Sequence, residues 1–202
     1  MWSVPRQWPG ETVFVLASGP SVNEIDLSLL TGRRVIAVKS SWVTYPEADV
    51  LFFADGRWWK RPGLRPKTFA GMIITTAAEI GDPRVLKLRK VPPAALSSDT
   101  DRVALARTST TGAINLAVHF GAARIVLLGV DGKLAADGRR HCHGLTWPWA
   151  KGAERQSFED QAAEYRAIVP SALELGVEII NANPDSAIDA FPRLPFLECL
   201  RL

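Results

Sequence analysis

The sequence has few cysteines, no long hydrophobic run and no long block of like charges. Two cysteines among 202 residues are too few for a framework of several disulfides. No stretch approaches the roughly 20 apolar residues that cross a bilayer, and the first residues lack the apolar core of a secretion signal. We therefore expect a protein of the cytoplasm without a membrane span.

Several common catalytic signatures are also missing. The sequence has no Gly-x-x-x-x-Gly-Lys-Ser/Thr, which argues against P-loop kinases and ATPases, and no Gly-x-Ser-x-Gly, which argues against an ordinary α/β hydrolase. The first predicted strand is not followed by Gly-x-Gly-x-x-Gly, the turn that binds the dinucleotide in hydride-transferring enzymes. Hydride transfer therefore has little support. Asp99 and Asp101 have the Asp-x-Asp spacing of metal-dependent sugar transferases, but they lie outside the expected strand-end context.

The amino-acid composition is typical of a globular domain. Hydrophobic residues make up 47% of the chain and charged residues 22%, which excludes a disordered chain, a collagen-like repeat and a coiled coil. A chain of this length buries enough surface for one core, so we expect a single domain over residues 1–202. The net charge of +3 permits a DNA partner but does not require one.

Five or six short apolar runs rich in Val and Ile recur along the chain. They are continuous rather than alternating, which is typical of parallel strands covered on both faces. Helical spacing occupies the segments between some of them. An α/β layered fold follows, with strands at 12–17, 35–38, 50–54, 72–75, 125–129 and 177–180, and helices at 111–120 and 157–175.

Two stretches between these elements have the composition of long loops, residues 87–108 and residues 131–156. Ordered loops of this length in a compact domain often carry binding or catalysis. The second stretch is dense in Gly, Pro, Trp, Arg and His. We therefore expect a functional loop at about 131–156.

Two hydroxyl-rich turns lie next to predicted helix starts. The turn after the first strand is Ser18-Gly19-Pro20-Ser21, and the turn before the helix at 111–120 contains Thr110-Thr111-Gly112. Such turns suit a phosphate or a carboxylate, although each also serves as an ordinary helix cap. Two of them in one open parallel sheet favour a ligand, because these folds bind ligands at the carboxyl ends of their strands.

The loop after the 125–129 strand contains the candidate catalytic residues. His141 and His143 are two residues apart, so on an extended segment they project to the same side. With Asp131 they could form a general base, a phosphate clamp or a metal site, or they could simply hydrogen-bond within the loop. A metal site would need at least a third protein ligand. His119, late in the first helix, is expected at the surface.

Cationic side chains surround the two histidines. A loop that carries them can close over a diphosphate and neutralise the charge on a leaving group without a metal. The alternative is a solvated cluster with no binding role. The residues concerned are Lys133, Arg139, Arg140 and Lys151, of which we select Arg140 and Lys151 as ligand contacts.

These segments resemble those of a Rossmann-like superfamily. The resemblance rests on Ser-Gly-Pro-Ser-Val at 18–22, and on Thr-Ser-Thr-Thr-Gly-Ala-Ile-Asn-Leu-Ala and Gly-Ala-Ala-Arg-Ile-Val-Leu-Leu-Gly-Val-Asp in the second half. The superfamily includes bacterial sialyltransferases, the motility accessory factors that glycosylate flagellin, and 6-hydroxymethylpterin diphosphokinase-like proteins. The run Arg-His-Cys-His-Gly is more similar to phage and prophage members. The resemblance covers roughly residues 12–55 and 107–192.

The resemblance implies a single Rossmann-like domain, an open and mostly parallel sheet with helices on both faces. A nucleotide-containing donor would lie across the strand ends between the two hydroxyl-rich turns. By the same analogy Lys39, Ser40 and Asp55 would line the pocket. Sialyltransferases typically have Asn where this chain has Ser18, and Tyr residues on a lid that this loop lacks. The resemblance thus points more directly to nucleotide binding than to sialyl transfer itself.

Three functions remain open from the sequence. The first is a transferase of phage or prophage type with a nucleotide-activated donor, a sugar, in which Asp131, His141 or His143 handles the proton. The second is a diphosphokinase or nucleotide-phosphate hydrolase, which would need a divalent metal beside Asp131 or Asp55. The third is a non-catalytic nucleotide-binding module. The expected partner is a nucleotide or nucleotide sugar, and the sequence does not identify the acceptor.

Overall fold

Short runs of β-branched and aliphatic residues form most of the strands of this protein. The computed structural model describes residues 1–145 and 154–202. The strands in those ranges are β1 (Thr12–Leu16), β2 (Arg34–Val38), β3 (Val50–Phe53), β4 (Met72–Thr75), β5 (Val85–Lys87), β6 (Arg89–Val91), β7 (Arg102–Ala104), β8 (Arg124–Leu128) and β9 (Glu178–Asn181).

Seven of these strands form one parallel sheet in the order β5-β4-β3-β2-β1-β8-β9. At its centre Phe14 of β1 is paired with Val35 of β2 on one side and Val126 of β8 on the other. The chain builds outward from β1 to β5 and then returns to the centre with β8. The strand order therefore reverses between β1 and β8, and a reversal of this kind opens a crevice at the carboxyl ends of the two strands.

The two faces of the sheet are covered in different ways. The helices are α1 (Gly56–Lys60), α2 (Ser109–Phe120), α3 (Glu154–Glu174) and α4 (Phe196–Cys199). One face, which includes Val15 and Leu127, packs in one core with α2 and α3 residues. The opposite face, which includes Leu16 and Leu128, is covered by α4 and short 3₁₀ turns. The predicted Rossmann-like α/β class is confirmed, with long helices on one face only.

Helix α2 lies very close to the sheet. Its residue Gly112 is buried, and a Cβ there would come within 2.6 Å of Leu105 Cδ2 and 2.8 Å of Phe52 Cε1. Thr108 caps the start of the helix and Gly121 ends it in the left-handed conformation, with φ 100°. Both predicted helices are confirmed, and α3 continues past Pro170.

The prediction of a long loop at 87–108 is wrong. The stretch contains β6 and β7, which pair in parallel as a separate two-stranded sheet. Each has only three residues, and β6 is mostly exposed and charged, so neither gives an apolar run. Buried Asn115 of α2 supports this region, because its Oδ1 accepts from the backbone N–H groups of Ser97 at 2.8 Å and Ala104 at 2.9 Å.

The expected surface position of His119 is also wrong. Its side chain is buried, with Nε2 2.7 Å from the carbonyl oxygen of Arg102 and 3.2 Å from Asn115 Nδ2. Burial lowers the pKa of His119. The helix end that the sequence suggested as exposed is instead covered by β7.

Within the described residues, none of the helices combines the length and the apolar character that crossing a bilayer would require.

Candidate functional site

A cleft of about 200 Å³ lies at the carboxyl ends of β1 and β8, where the strand order reverses. Its walls come from residues that follow β1, β2 and β8, from the start of α2 and from one side of α3. Residues from all five regions line it, among them Ser18, Lys39, Asp131, Thr110, Tyr165 and, from the loop after β8, His141. We call this cleft the first cleft.

A second cleft of about 870 Å³ adjoins the first on the side of β3 and β4. It includes Asp55, which follows β3, and Thr76, which follows β4. The two clefts share four lining residues, Lys39, Arg107, Thr108 and Ser109. They therefore form one continuous trough along the strand ends, with Lys39 at the junction.

The close approach of the β1 and β8 loops explains Gly19. Its N–H donates to the Gly129 carbonyl oxygen at 2.9 Å. A Cβ on Gly19 would stand 2.4 Å from that oxygen and 2.5 Å from Asp131 Oδ2, so a larger residue would push the two loops apart. Gly129 also has a positive φ, 67°. Glycine is thus required at residue 19 by the packing of the cleft floor itself.

Asp131 holds these two loops together. Its Oδ2 accepts from the Ser21 backbone N–H at 2.9 Å, and its Oδ1 accepts from Ser21 Oγ at 2.5 Å and from Asn183 Nδ2 at 2.9 Å. The carboxylate is buried, and three donors occupy its two oxygens. This bonding favours a structural role for Asp131 over the proton-transfer role considered from the sequence.

His141 is the imidazole that lines the first cleft. Its Nδ1 lies 3.1 Å from Ser18 Oγ, and its ring stacks on that of His143, with 5.2 Å between the centroids and an interplanar angle of 19°. Partial burial, together with the nearby His143 and Arg140, lowers the pKa of His141 to about 4. The ring is therefore neutral at neutral pH.

His143 lies behind His141 and is not among the residues that line either cleft. It is half-buried, and burial lowers its pKa. Its Nδ1 is buried without a hydrogen-bond partner within the described residues. The two histidines are brought together as the sequence predicted, but only one of them faces the cleft.

Positive charge dominates the lining of the first cleft. In the described ranges its cationic residues are Lys39, Arg107, Lys133 and Arg140, against the single carboxylate of Asp131. Such a concave, cation-lined surface attracts anions. Partial burial lowers the pKa of the Lys39 ammonium, an effect that Asp55 opposes. Lys39 also has a φ of 51°, a left-handed conformation that is uncommon for a side chain of this kind.

Helix α3 holds two of these cations in place. Arg140 Nη2 donates to Ser157 Oγ at 3.2 Å, and its guanidinium carbon stands 5.4 Å from the centre of the Phe158 ring. Arg107 Nε lies 3.5 Å from Asp160 Oδ2. The cations on the two sides of the cleft are therefore positioned by neighbouring residues of a single helix.

Two further α3 residues build the site and were missed from the sequence. The buried carboxylate of Glu164 accepts from the backbone N–H groups of Ala106 and Arg107 and so fixes the turn before α2. Tyr165 lines the first cleft, and burial raises its pKa to about 12 against the opposing effect of the Thr110 and Thr108 hydroxyls. The helical spacing predicts that Tyr165 belongs to the buried face of the helix. No signal in the sequence distinguishes it from the other core residues on that face.

The predicted binding residues differ in where the structure places them. Ser18, Gly19, Thr110 and Arg140 line the first cleft, Asp55 lines the second and Lys39 lines both. Lys151 lies outside the described residues. The remaining predicted residues line neither cleft: Pro20, Ser21, Ser40, Thr111 and Gly112.

Four of these five residues have other contacts or are buried, which accounts for their placement. Ser21 is bonded to Asp131, and Ser40 is buried, with its Oγ accepting from Trp58 Nε1 at 2.9 Å. Thr111 has no exposed surface and Gly112 packs on Phe52. Within a tight turn or a first helical turn successive side chains point in different directions, so the neighbours of a lining residue face the core.

Among residues 1–145 and 154–202, no three His, Cys, Asp or Glu side chains converge in a way that could hold a metal ion.

No protein family matches the sequence. No curated protein matches it either. The solved structures that share its fold include two glycosyltransferases. The sialyltransferase CstII from Campylobacter jejuni, in complex with the substrate analogue cytidine-5′-monophosphate, is 12% identical with a TM-score of 0.56 over 92% of this chain and 85% of that one. The MAf glycosyltransferase from Magnetospirillum magneticum AMB-1 is 13% identical with a TM-score of 0.55 over 96% of this chain and 35% of that one. At these identities the likeness shows the fold alone.

Proposed function

We propose that the protein is a transferase that uses a nucleotide-activated sugar as its donor. The observation that carries the proposal is the convergence of three distant segments on one cation-lined cleft: Ser18 and Gly19, the start of α2 and His141. The cleft lies at the reversal of strand order, the usual ligand site of open parallel sheets. The glycosyltransferases that share the fold, one of them in complex with cytidine-5′-monophosphate, give further support.

The donor phosphate would lie in the first cleft. The N-terminus of α2 offers backbone N–H groups and the hydroxyls of Thr108 and Thr110, and Arg107 and Arg140 supply charge. The two clefts meet at Lys39, so one would take the nucleoside and the other the sugar. A phosphate at the junction would relieve the cost of burying the Lys39 ammonium.

The chemistry needs a base for the acceptor and a stabilised leaving group. The acceptor oxygen bonds to the anomeric carbon, the bond from that carbon to the phosphate oxygen breaks, and the negative charge goes to the departing nucleotide. Arg107, Arg140 and Lys39 stabilise that charge. His141 takes the acceptor's proton, and the bound phosphate raises the His141 pKa from about 4 because an anion favours the imidazolium.

A diphosphokinase or nucleotide-phosphate hydrolase has less support. It would use Asp131 or Asp55 to hold a divalent metal, and both carboxylates already have partners. Asp131 is bonded to Ser21 and Asn183. Asp55 caps α1 and pairs with Arg57 at 2.7 Å. A metal would have to displace these donors before it could bind.

Two sequence-based expectations belong to the same proposal. We propose that the enzyme is of the phage or prophage type and acts in the cytoplasm of the bacterial host, where its donor would be available. The acceptor is a hydroxyl-bearing molecule that enters the open trough. A DNA acceptor is compatible with the mildly basic chain but is not required by it.

Ligand-dependent melting is the direct test. A nucleotide or nucleotide sugar at a hundredfold excess over its Kd should raise the Tm by about 5–10 °C, with or without divalent cations. Any donor that does so should then release free nucleotide when incubated with the enzyme. Binding with no release under any acceptor condition would indicate the non-catalytic module, and the absence of any nucleotide-dependent shift would contradict nucleotide binding altogether.

A further inference from the structure

The hydroxyl of Ser18 lies between the floor of the first cleft and His141. Ser18 Oγ is 3.1 Å from His141 Nδ1, and both residues line the cleft. A hydroxyl both donates and accepts, whereas a neutral imidazole has one N–H and one bare nitrogen. The direction of this single hydrogen bond therefore decides which ring nitrogen of His141 carries the proton.

The imidazole is held firmly at this position. The Cys142 N–H donates to the Ser18 carbonyl oxygen at 2.9 Å, so the residue after His141 is tied to the β1 loop. The Asn23 amide, oriented to satisfy both its polar atoms, donates to the Cys142 carbonyl oxygen at 3.1 Å and accepts from Arg139 at 3.3 Å. The His143 ring stacks on His141 and covers one of its faces. A flip of the ring would break the hydrogen bond between Nδ1 and Ser18, so a change of tautomer is the easier way to alter its chemistry.

We propose that Ser18 is a positioning residue that couples phosphate binding to the tautomer of His141. In the empty cleft the Ser18 hydroxyl donates to Nδ1, so the ring proton is on Nε2. When a phosphate oxygen binds beside Ser18, the hydroxyl donates to the phosphate and accepts from Nδ1–H, which leaves Nε2 bare. Solvent carries one proton from Nε2 to Nδ1, so the net protonation is unchanged.

This coupling rests on the proposed transferase function and adds to it a control of the catalytic base. His141 becomes a base at Nε2 only after the phosphate of the donor is in place. The charged and titratable groups that face the ring, Arg140, Lys39 and His143, oppose an imidazolium in the empty cleft, and the same phosphate offsets them. Binding of the donor would thus set the tautomer of His141 and raise its basicity. In the absence of the donor, His141 would take part in little proton transfer.

The test is ¹⁵N NMR of the histidine side chains in the full chain, titrated with inorganic pyrophosphate whose binding is followed by calorimetry. On saturation the Nδ1 and Nε2 resonances of His141 should exchange their pyrrole-like and pyridine-like positions. Ser18→Ala should bind pyrophosphate without this exchange, and Ser18→Thr, which keeps the hydroxyl, should restore it.

The outcomes separate this inference from the proposed function. Pyrophosphate binding without an exchange of the two resonances in the wild-type protein overturns the role of Ser18 and leaves the phosphate site intact. An exchange that persists in Ser18→Ala also overturns it. If pyrophosphate does not bind, both the proposed phosphate site and the proposed coupling are contradicted. The wild-type titration alone is sufficient should the Ser18→Ala variant not fold.

Discussion

Ser21 donates to the carboxylate of Asp131 with both its backbone N–H and its hydroxyl, at 2.9 and 2.5 Å, across 110 positions of sequence. The contact joins the loop after β1 to the loop after β8 at the floor of the first cleft. Asn183, which follows β9, adds a third donor. The loops of three neighbouring strands are thus held by one carboxylate, and this defines the edge on which the proposed ligand rests.

Replacing Asp131 should destabilise the fold more than it affects any single catalytic step. In Asp131→Ala the partly buried donors of Ser21 and Asn183 lose their acceptor, which should lower the free energy of unfolding by about 2–3 kcal/mol. Urea denaturation measures the loss. The matched control is Asp137→Ala, an exposed carboxylate of the same loop paired with Arg139, which should leave the denaturation midpoint unchanged. Equal effects of the two substitutions would contradict the role of Asp131.

Gly19→Ala should destabilise the protein and weaken ligand binding together. The new Cβ would lie 2.4 Å from the Gly129 carbonyl oxygen, so the β1 and β8 loops must separate, at a cost of about 1–3 kcal/mol. Gly81→Ala is the control, because a Cβ at Gly81 meets nothing within 4 Å and the residue has no positive φ. Thermal unfolding of both variants checks the prediction. A Gly19→Ala protein as stable as the wild type would show that the loops do not require glycine here.

His141 should contribute to the pH dependence of stability in acid. Its pKa falls from 6.5 to about 4 on folding, so below pH 6.5 the unfolded chain binds a proton that the native state does not. Stability from this group is therefore present above pH 6.5 and is lost as the pH falls toward 4. His141→Asn should reduce the slope of the unfolding free energy against pH in that window. His119 and His143 have lowered pKa values as well, so part of the pH dependence of the unfolding free energy should remain in the variant. An unchanged slope would mean that His141 is not shielded from solvent.

Arg140→Ala should weaken nucleotide binding about tenfold, the value of one charge-assisted hydrogen bond to a phosphate. The neighbouring Arg139 is exposed, pairs with Asp137, donates to the Asn23 amide and does not line the cleft, so Arg139→Ala should weaken nucleotide binding much less than Arg140→Ala does. Isothermal titration calorimetry at two salt concentrations checks both variants. Binding should also weaken with salt in the wild type, since the cleft attracts the phosphate by its charge. A similar loss in both variants would indicate a diffuse effect of charge on the loop.

The sequence predicted the parallel sheet well because burial on both faces leaves a local mark. Strands such as β1 and β8 have almost no exposed residue and therefore read as unbroken apolar runs. Strands β6 and β7 are short and, in β6, exposed, so they leave no such mark, and their position depends on contacts with Asn115 of α2. They were not predicted because a strand gives a continuous apolar run only when both of its faces are buried.

The sequence by itself determined which turns line the candidate cleft, because turns that follow parallel strands must meet at one edge of the sheet, and residues such as Ser18 and His141 are found there. Only the tertiary structure decided which side chain of each turn faces the candidate cleft. Ser18 and Ser21 are three residues apart, yet one contacts His141 and the other is bound to Asp131. Side-chain direction depends on partners more than a hundred positions away, and such pairings leave no trace in local spacing.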